Sequence, residues 1–219
     1  MTRDEALALY EEGLAAFRAG DQETSKAKNE AALEAARAAG DAEAESLALV
    51  GLSRVALRNG DYRAVCTLAA EARERVRGLG PAADARPLHL LAAGTRLAGD
   101  YDEARRLYTE SLDLSRKLEN EHGIWMELHN LGFVELHREN VQAAQALFAE
   151  AADLCGDDAY ALAMTDLETA ALETVHGQLE AAVEHLRAAQ DKLRQAGIVL
   201  DPDDAFELDW LRRTVRQAP

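Results

Sequence analysis

A helix-breaking turn that recurs about every forty residues constrains this chain more than any other feature. Gly99-Asp100-Tyr101-Asp102-Glu103-Ala104 is the clearest copy. A glycine able to take the left-handed conformation ends one helix, and the aspartate after it caps the amides of the next. Tyr101, Ala104, Tyr108, Ser111 and Leu112 then follow at three- and four-residue spacing, an apolar stripe with small gaps on one helix face. The pattern returns at Gly20-Asp21, Gly60-Asp61-Tyr62, Glu139-Asn140-Val141 and Gly177-Gln178-Leu179. The helix-opening residues Asp21, Asp61, Asp100, Asn140 and Gln178 lie 40, 39, 40 and 38 residues apart, a period that predicts stacked two-helix units.

Small residues keep the same register. On the first helix of each unit stand Gly13, Ser53, Ala92, Gly132 and Ala170. On the second stand Ser25, Val65, Ala104, Ala144 and Ala182, and seven residues on Ala32, Ala72, Ser111, Ala151 and Ala189. Only Val65 breaks the run. Small side chains at matched depths let helix backbones approach closely while larger neighbours interlock. The chain thereby resembles tetratricopeptide-repeat (TPR) proteins, whose signature is W/L-x-x-L-G-x-x-Y, then G-D/N, then A, F/Y and A. Leu128, Leu131, Gly132, Asn140, Ala144, Phe148 and Ala151 carry it, as do Leu88, Leu91, Ala92, Gly99, Asp100, Ala104, Tyr108 and Ser111. Repeats one and five depart from it, with Glu12 and Asp166 at normally apolar places and Asn29 at the aromatic one.

The resemblance implies an all-α fold, a right-handed α-α superhelix (TPR solenoid) of five helical hairpins. The expected repeats run over 3–39, 41–78, 84–119, 122–156 and 158–196 of a single domain, 1–219, closed by a capping helix over 202–217. The family period is usually about 34 residues, so the spare length makes these long repeats. They are similar to the TPR regions of bacterial signalling ATPases and transcription regulators.

Four prolines, few β-branched residues and abundant Ala, Leu, Glu and Arg leave little material for strands. A formal charge of −16 argues against binding nucleic acid or anionic membrane, whose surfaces would repel the chain. Cys66 and Cys155 fall two repeats apart, too far to bridge, and read as buried thiols of a reducing compartment. With no leader pattern and no apolar run long enough to span a bilayer, a cytoplasmic location is expected. The Arg- and Ala-rich composition fits a bacterial genome.

Turns between units are expected at Gly40-Asp41, Gly78-Leu79-Gly80-Pro81, Asn120-Glu121-His122-Gly123 and Gly156-Asp157-Asp158. Pro87 would break a helix interior, so that helix is expected to start near residue 85 with Asp84 as cap. Asp201-Pro202 opens the last helix, with Phe206, Trp210, Leu211 and Val215 facing inward and Asp203, Asp204, Arg212, Arg213 and Arg216 in water. Leu7, Leu9, Tyr10, Leu14 and Phe17 of the first helix read either as ordinary core or as a homodimer surface at the N-terminal repeat.

No metalloprotease, zinc-knuckle, P-loop, serine-hydrolase or dinucleotide motif occurs, so no enzyme activity, metal or cofactor is expected. The plentiful carboxylates read as solvated charge on second helices. The resemblance instead implies a concave groove lined by first helices. Leu47, Val50, Arg54, Leu57 and Arg58 would line it in repeat two, and Arg86, His89, Ala93 and Arg96 in repeat three. Met126, His129, Asn130, Phe133, Leu136 and His137 would follow in repeat four, with Trp125 as a further receiver of apolar side chains. Spans 46–58 and 85–98 each hold two arginines and no acid, which points to a protein or peptide partner bearing carboxylate groups. The clamp of chaperone-binding TPR proteins needs lysines and paired asparagines, and only Asn130 is present. The function read from these residues is a non-enzymatic binding module or adaptor in bacterial regulation. A small-molecule or signal-peptide sensor and a self-assembling scaffold are the alternatives.

Overall fold

Side-chain caps set the helix starts. Thr2, Asp21, Asp41, Asp61, Asn120 and Asp158 each accept a hydrogen bond from the backbone amide three residues on, and Asp100 does so from Glu103 at 3.2 Å. At the hairpin turns Gly20, Gly60, Gly99 and Gly177 have positive φ, and Glu139, at +62°, takes the same left-handed place without being glycine. Asn140 and Gln178 open their helices without a side-chain cap, and Asn140 instead donates to Glu135 at 3.1 Å.

The computed structural model describes residues 2–217; Met1, Ala218 and Pro219, which the expected 1–219 domain includes, lie outside the described residues. Eleven α-helices and no strand occur among the described residues. They are α1 (Arg3–Arg18), α2 (Gln22–Ala39), α3 (Ala42–Arg58), α4 (Tyr62–Arg75), α5 (Pro81–Leu97), α6 (Tyr101–Lys117), α7 (Glu121–His137), α8 (Val141–Asp153), α9 (Ala159–Val175), α10 (Leu179–Ala196) and α11 (Pro202–Gln217). Contacts group them into two compact units, one ending at Leu107 and one starting at Tyr108. In the first unit α1 packs on α2, α3 on α4, and the first helices α1, α3 and α5 touch in succession. The second holds the hairpins α7–α8 and α9–α10, with α11 against α9 and α10. No described helix is long and apolar enough to cross a membrane.

Every small-residue register position is buried. Larger side chains of neighbouring helices fill the notches. A Cβ on Gly132 would stand 2.1 Å from Cε1 of Phe148. Val65, the one large residue in the run, fits because Gly94 on α5 leaves it room: a Cβ there would lie 2.6 Å from Cγ1 of Val65. Asn29 sits in the first repeat where Tyr108 and Phe148 sit in theirs. It is clasped between Gly13 of α1 and Gly51 of α3, and its amide nitrogen donates to the Ser25 carbonyl at 2.8 Å. The two acidic departures become ion pairs inside their own hairpins, Glu12 with Lys28 and Asp166 with Lys192.

Three local expectations are corrected. The fifth helix starts at Pro81, not near 85, and Pro87 lies inside it. Gly80, at φ +109° and ψ +170°, turns the chain so that Pro81 takes the favoured first position, while Asp84 receives a bidentate ion pair from Arg73, both bonds 2.8 Å. Gly123 is not a turn residue: it lies in the first turn of α7, and Glu119 at φ +52° makes the reversal. The cysteines are free but half-buried, Cys66 beside Thr95 and Cys155 beside Thr165. Gly80→Ala is expected to lower unfolding free energy by about 1–3 kcal/mol, since side chains do not occupy that backbone region; urea titration measures it.

Candidate functional site

The first helices of the first unit present one continuous surface. Leu47 and Val50 on α3 share a cavity of about 70 Å³ with Ala83, Arg86 and Pro87 on α5. Arg54 lies one turn beyond Val50 on the same side of α3. Arg54 is half-buried and Arg86 exposed, and among the described residues no ion pair involves either. Arg58 lays its guanidinium over the Phe17 ring, 4.1 Å from the centroid, so part of its charge is spent on that face. A larger cavity of about 640 Å³ lies at the α4–α5 connection, between Val76, Gly80 and Leu91. Its charged walls neutralise one another, Arg73 with Asp84 and Arg77 with Glu74, which makes it a poorer place for an anion.

The corresponding face of the second unit is occupied. Helix α11 lies on it, with Asp203, Asp204 and Glu207 buried together with Leu208 and Leu211. Nδ1 of His129 on α7 is 2.6 Å from Oε1 of Glu168 on α9, and Nε2 is 3.1 Å from Oδ1 of Asp204 on α11. The other oxygen of Asp204 accepts from the Tyr160 hydroxyl. His137 reaches Oε2 of Glu207 at 2.8 Å and packs its ring 4.8 Å from Trp210. Burial by itself would lower the proton affinity of His129, but hydrogen bonds to Asp204 and Glu168 outweigh it and push its pKa up to about 10. At neutral pH both ring nitrogens therefore carry protons and donate. Burial raises Glu168 against the opposing pull of His129, and burial together with Asp204 raises Tyr160.

Comparison with known structures confirms the repeat architecture. A Rap protein complexed with competence and sporulation factor superposes with a TM-score of 0.74 at 15% identity, over 95% of this chain and 57% of that one. The apo form of RapI gives 0.72 at 16% identity, over 88% and 72%. The nearly identical TPR-like repeats of a Podospora anserina protein assigned as a kinesin light chain give 0.67 at 15% identity, over 89% and 97%. The chain has the TPR-like helical-repeat fold. No protein-family model and no curated protein matches the sequence. This TPR-like chain spans a little over half the length of the Rap protein it superposes on.

The expected lining residues of the TPR-like repeats meet different fates. Leu47, Val50 and Arg86 come together, with Arg54 beside them. Arg96 is 0% exposed and His89 half-buried, so Arg96 offers nothing to solvent. Trp125, His129, Asn130 and Phe133 are buried, Met126 half-buried and His137 nearly closed off. Trp125 stacks between His122 and His129, and Phe133 meets Phe148 edge-on at 5.2 Å. Asn130 donates to the Met126 carbonyl of its own helix at 2.9 Å. Asp203 and Asp204, expected in water, are buried, and so are Glu127, Glu135 and Glu168 on first helices. The expected inward face of α11 holds in part, with Leu211 buried and Phe206 and Trp210 half-buried beside His137, but it is shared with acids that hydropathy assigns to water. The readable signal is Asp203, Asp204, Glu207, Leu208 and Leu211 at helical spacing, opposite a helix carrying two histidines eight residues apart.

Proposed function

We propose that this chain is a non-catalytic module that binds a peptide or protein segment bearing carboxylates along α3 and α5. Arg54 and Arg86 serve as charge partners, and Leu47, Ala82 and Ala83, which reach solvent, receive apolar side chains. The observation that carries this reading is a small cavity between α3 and α5 lined by Leu47, Ala83 and Arg86, with Glu43 and Ser46 at its α3 end and Arg54 one turn beyond Val50; no ion pair of the described residues engages either arginine. Guanidinium groups in this state are ready for bidentate carboxylate bonds. A protein of the same fold, the Rap protein, was solved in complex with competence and sporulation factor, which supports a ligand-binding use of the architecture. A bacterial regulator or adaptor working in the cytoplasm fits this chemistry.

The test is fluorescence anisotropy with a panel of labelled hexapeptides, acidic and neutral, titrated with the full chain. Acidic members bind, and the double charge reversal Arg54→Glu/Arg86→Glu weakens them by about tenfold or more, the 1.4 kcal/mol scale of one charge-assisted bond. Melting of the variant stays close to the parent, because both side chains reach water. Arg96→Glu is unsuitable for the purpose, since it would bury a carboxylate. Equal affinity for acidic and neutral peptides, or an unweakened double variant, removes the reading.

A further inference from the structure

The α7–α9 face of the second unit is a finished recognition surface with a ligand already on it. We propose that this face binds an acidic helical segment of a partner protein, with two carboxylates three residues apart and leucines on the same side, and that α11 fills it in cis until such a segment displaces it. The inference concerns the second unit and stands apart from the α3–α5 reading.

Three observations carry it. The first is what α11 buries. A lid whose task was to cover an apolar edge would bury apolar side chains. Asp204 and Glu207 are instead 6% and 0% exposed and sit on His129 and His137, with Leu208 and Leu211 as the apolar part. Desolvating carboxylates offsets most of what their partners return, so such contacts contribute recognition more than net affinity.

The second is that the receiving face is organised from beneath. His129 is oriented by Glu168 on α9, so one N–H points at the incoming carboxylate. The Tyr160 hydroxyl is aimed at the second oxygen of the same carboxylate. His137 waits two turns further along α7 for Glu207, and its ring offers an aromatic contact to Trp210.

The third is the tether. Gly197, at φ +65°, ends α10, and 198–201 form no regular structure, with Val199 78% exposed. Helix α11 is 16 residues long, and because most helical stability in proteins comes from tertiary packing, release from the face would also loosen the helix. A short tether holds the cis copy at an effective concentration on the order of millimolar, and a partner with better-matched side chains outcompetes it.

The test uses the full chain and a labelled synthetic peptide of residues 201–217. The chain carrying Asp204→Asn/Glu207→Gln has a weakened cis copy, and the peptide binds it about tenfold tighter or more than it binds the parent, as expected when a tethered competitor is removed. A peptide with the same two substitutions binds neither. Hydrogen exchange of the parent chain gives an answer even if the variant does not fold. Amides of α11 exchange at least about tenfold faster than those of α7 and α9, the mark of a separately opening element. Exchange of α11 in step with α9, or peptide affinity equal for parent and variant, overturns the proposal.

Discussion

Replacing His129 by alanine is expected to cost about 3–5 kcal/mol of unfolding free energy, the scale seen when one partner is stripped from a buried charge network. The imidazolium lies between two carboxylates, 2.6 Å from Glu168 and 3.1 Å from Asp204, and all three side chains are buried. The substitution takes the imidazolium from between those carboxylates, so it no longer offsets their mutual repulsion. His129→Gln should cost less, because an amide still donates one hydrogen bond. Urea unfolding of parent and both variants by circular dichroism provides the measurement.

The same group sets a pH dependence. The folded-state pKa of His129, about 10, lies above the ordinary histidine value of 6.5, so its contribution to stability is complete below 6.5 and is lost as pH rises through 10. Glu168 and Tyr160 face it from α9, and Asp204 from α11; Tyr160 is itself raised and holds its proton while His129 gives one up. Between about pH 8 and about pH 10.5 the parent should therefore lose more stability than His129→Gln, in which the titrating group is gone. Parallel losses would show that His129 is neutral when folded.

Gly132→Ala is expected to cost about 1–3 kcal/mol, a large penalty for a single methyl group in a helix, where alanine is ordinarily favoured. The added carbon would come within 2.1 Å of Cε1 and 2.5 Å of Cδ1 of Phe148. That ring cannot swing away, because Phe133 lies 5.2 Å and His129 6.4 Å from its centroid. Thermal melting compares the parent, Gly132→Ala, Phe148→Leu and the double variant. Leucine at 148 should relieve much of the clash, giving a coupling between the two sites well above the error of additivity. A Gly132→Ala chain that melts like the parent would mean that the notch is not closed.

Most of the helical frame was legible from residue order. The hairpin turns, nine of the eleven helix starts to within about two residues, and the buried small-residue register follow from short-range chemistry. An aspartate caps an amide three residues away, a left-handed residue ends a helix, and a small side chain marks a close approach. Each rule is written several times at a period near forty, so a weak signal in one copy is supported by the others. Even the exceptions had near partners: Val65 is answered by Gly94, Glu12 by Lys28 and Asp166 by Lys192.

The candidate site was legible only where it shares that periodicity. Leu47, Val50, Arg54 and Arg86 could be placed on first helices by register, and they do lie on one side of α3 and α5. Arg96 has the same register credentials yet is wholly buried, because depth depends on which neighbours close over a helix end. The choice between Pro81 and Pro87 as helix opener was decided by the backbone at Gly80 and by Arg73 claiming Asp84. Above all, the contacts of α11 join residues 75 and 70 positions apart, His129 to Asp204 and His137 to Glu207. These pairings do not follow the repeat period and leave no periodic trace in the sequence. Only the meeting of three helix faces turns carboxylates that belong in water into the buried counterions of a histidine.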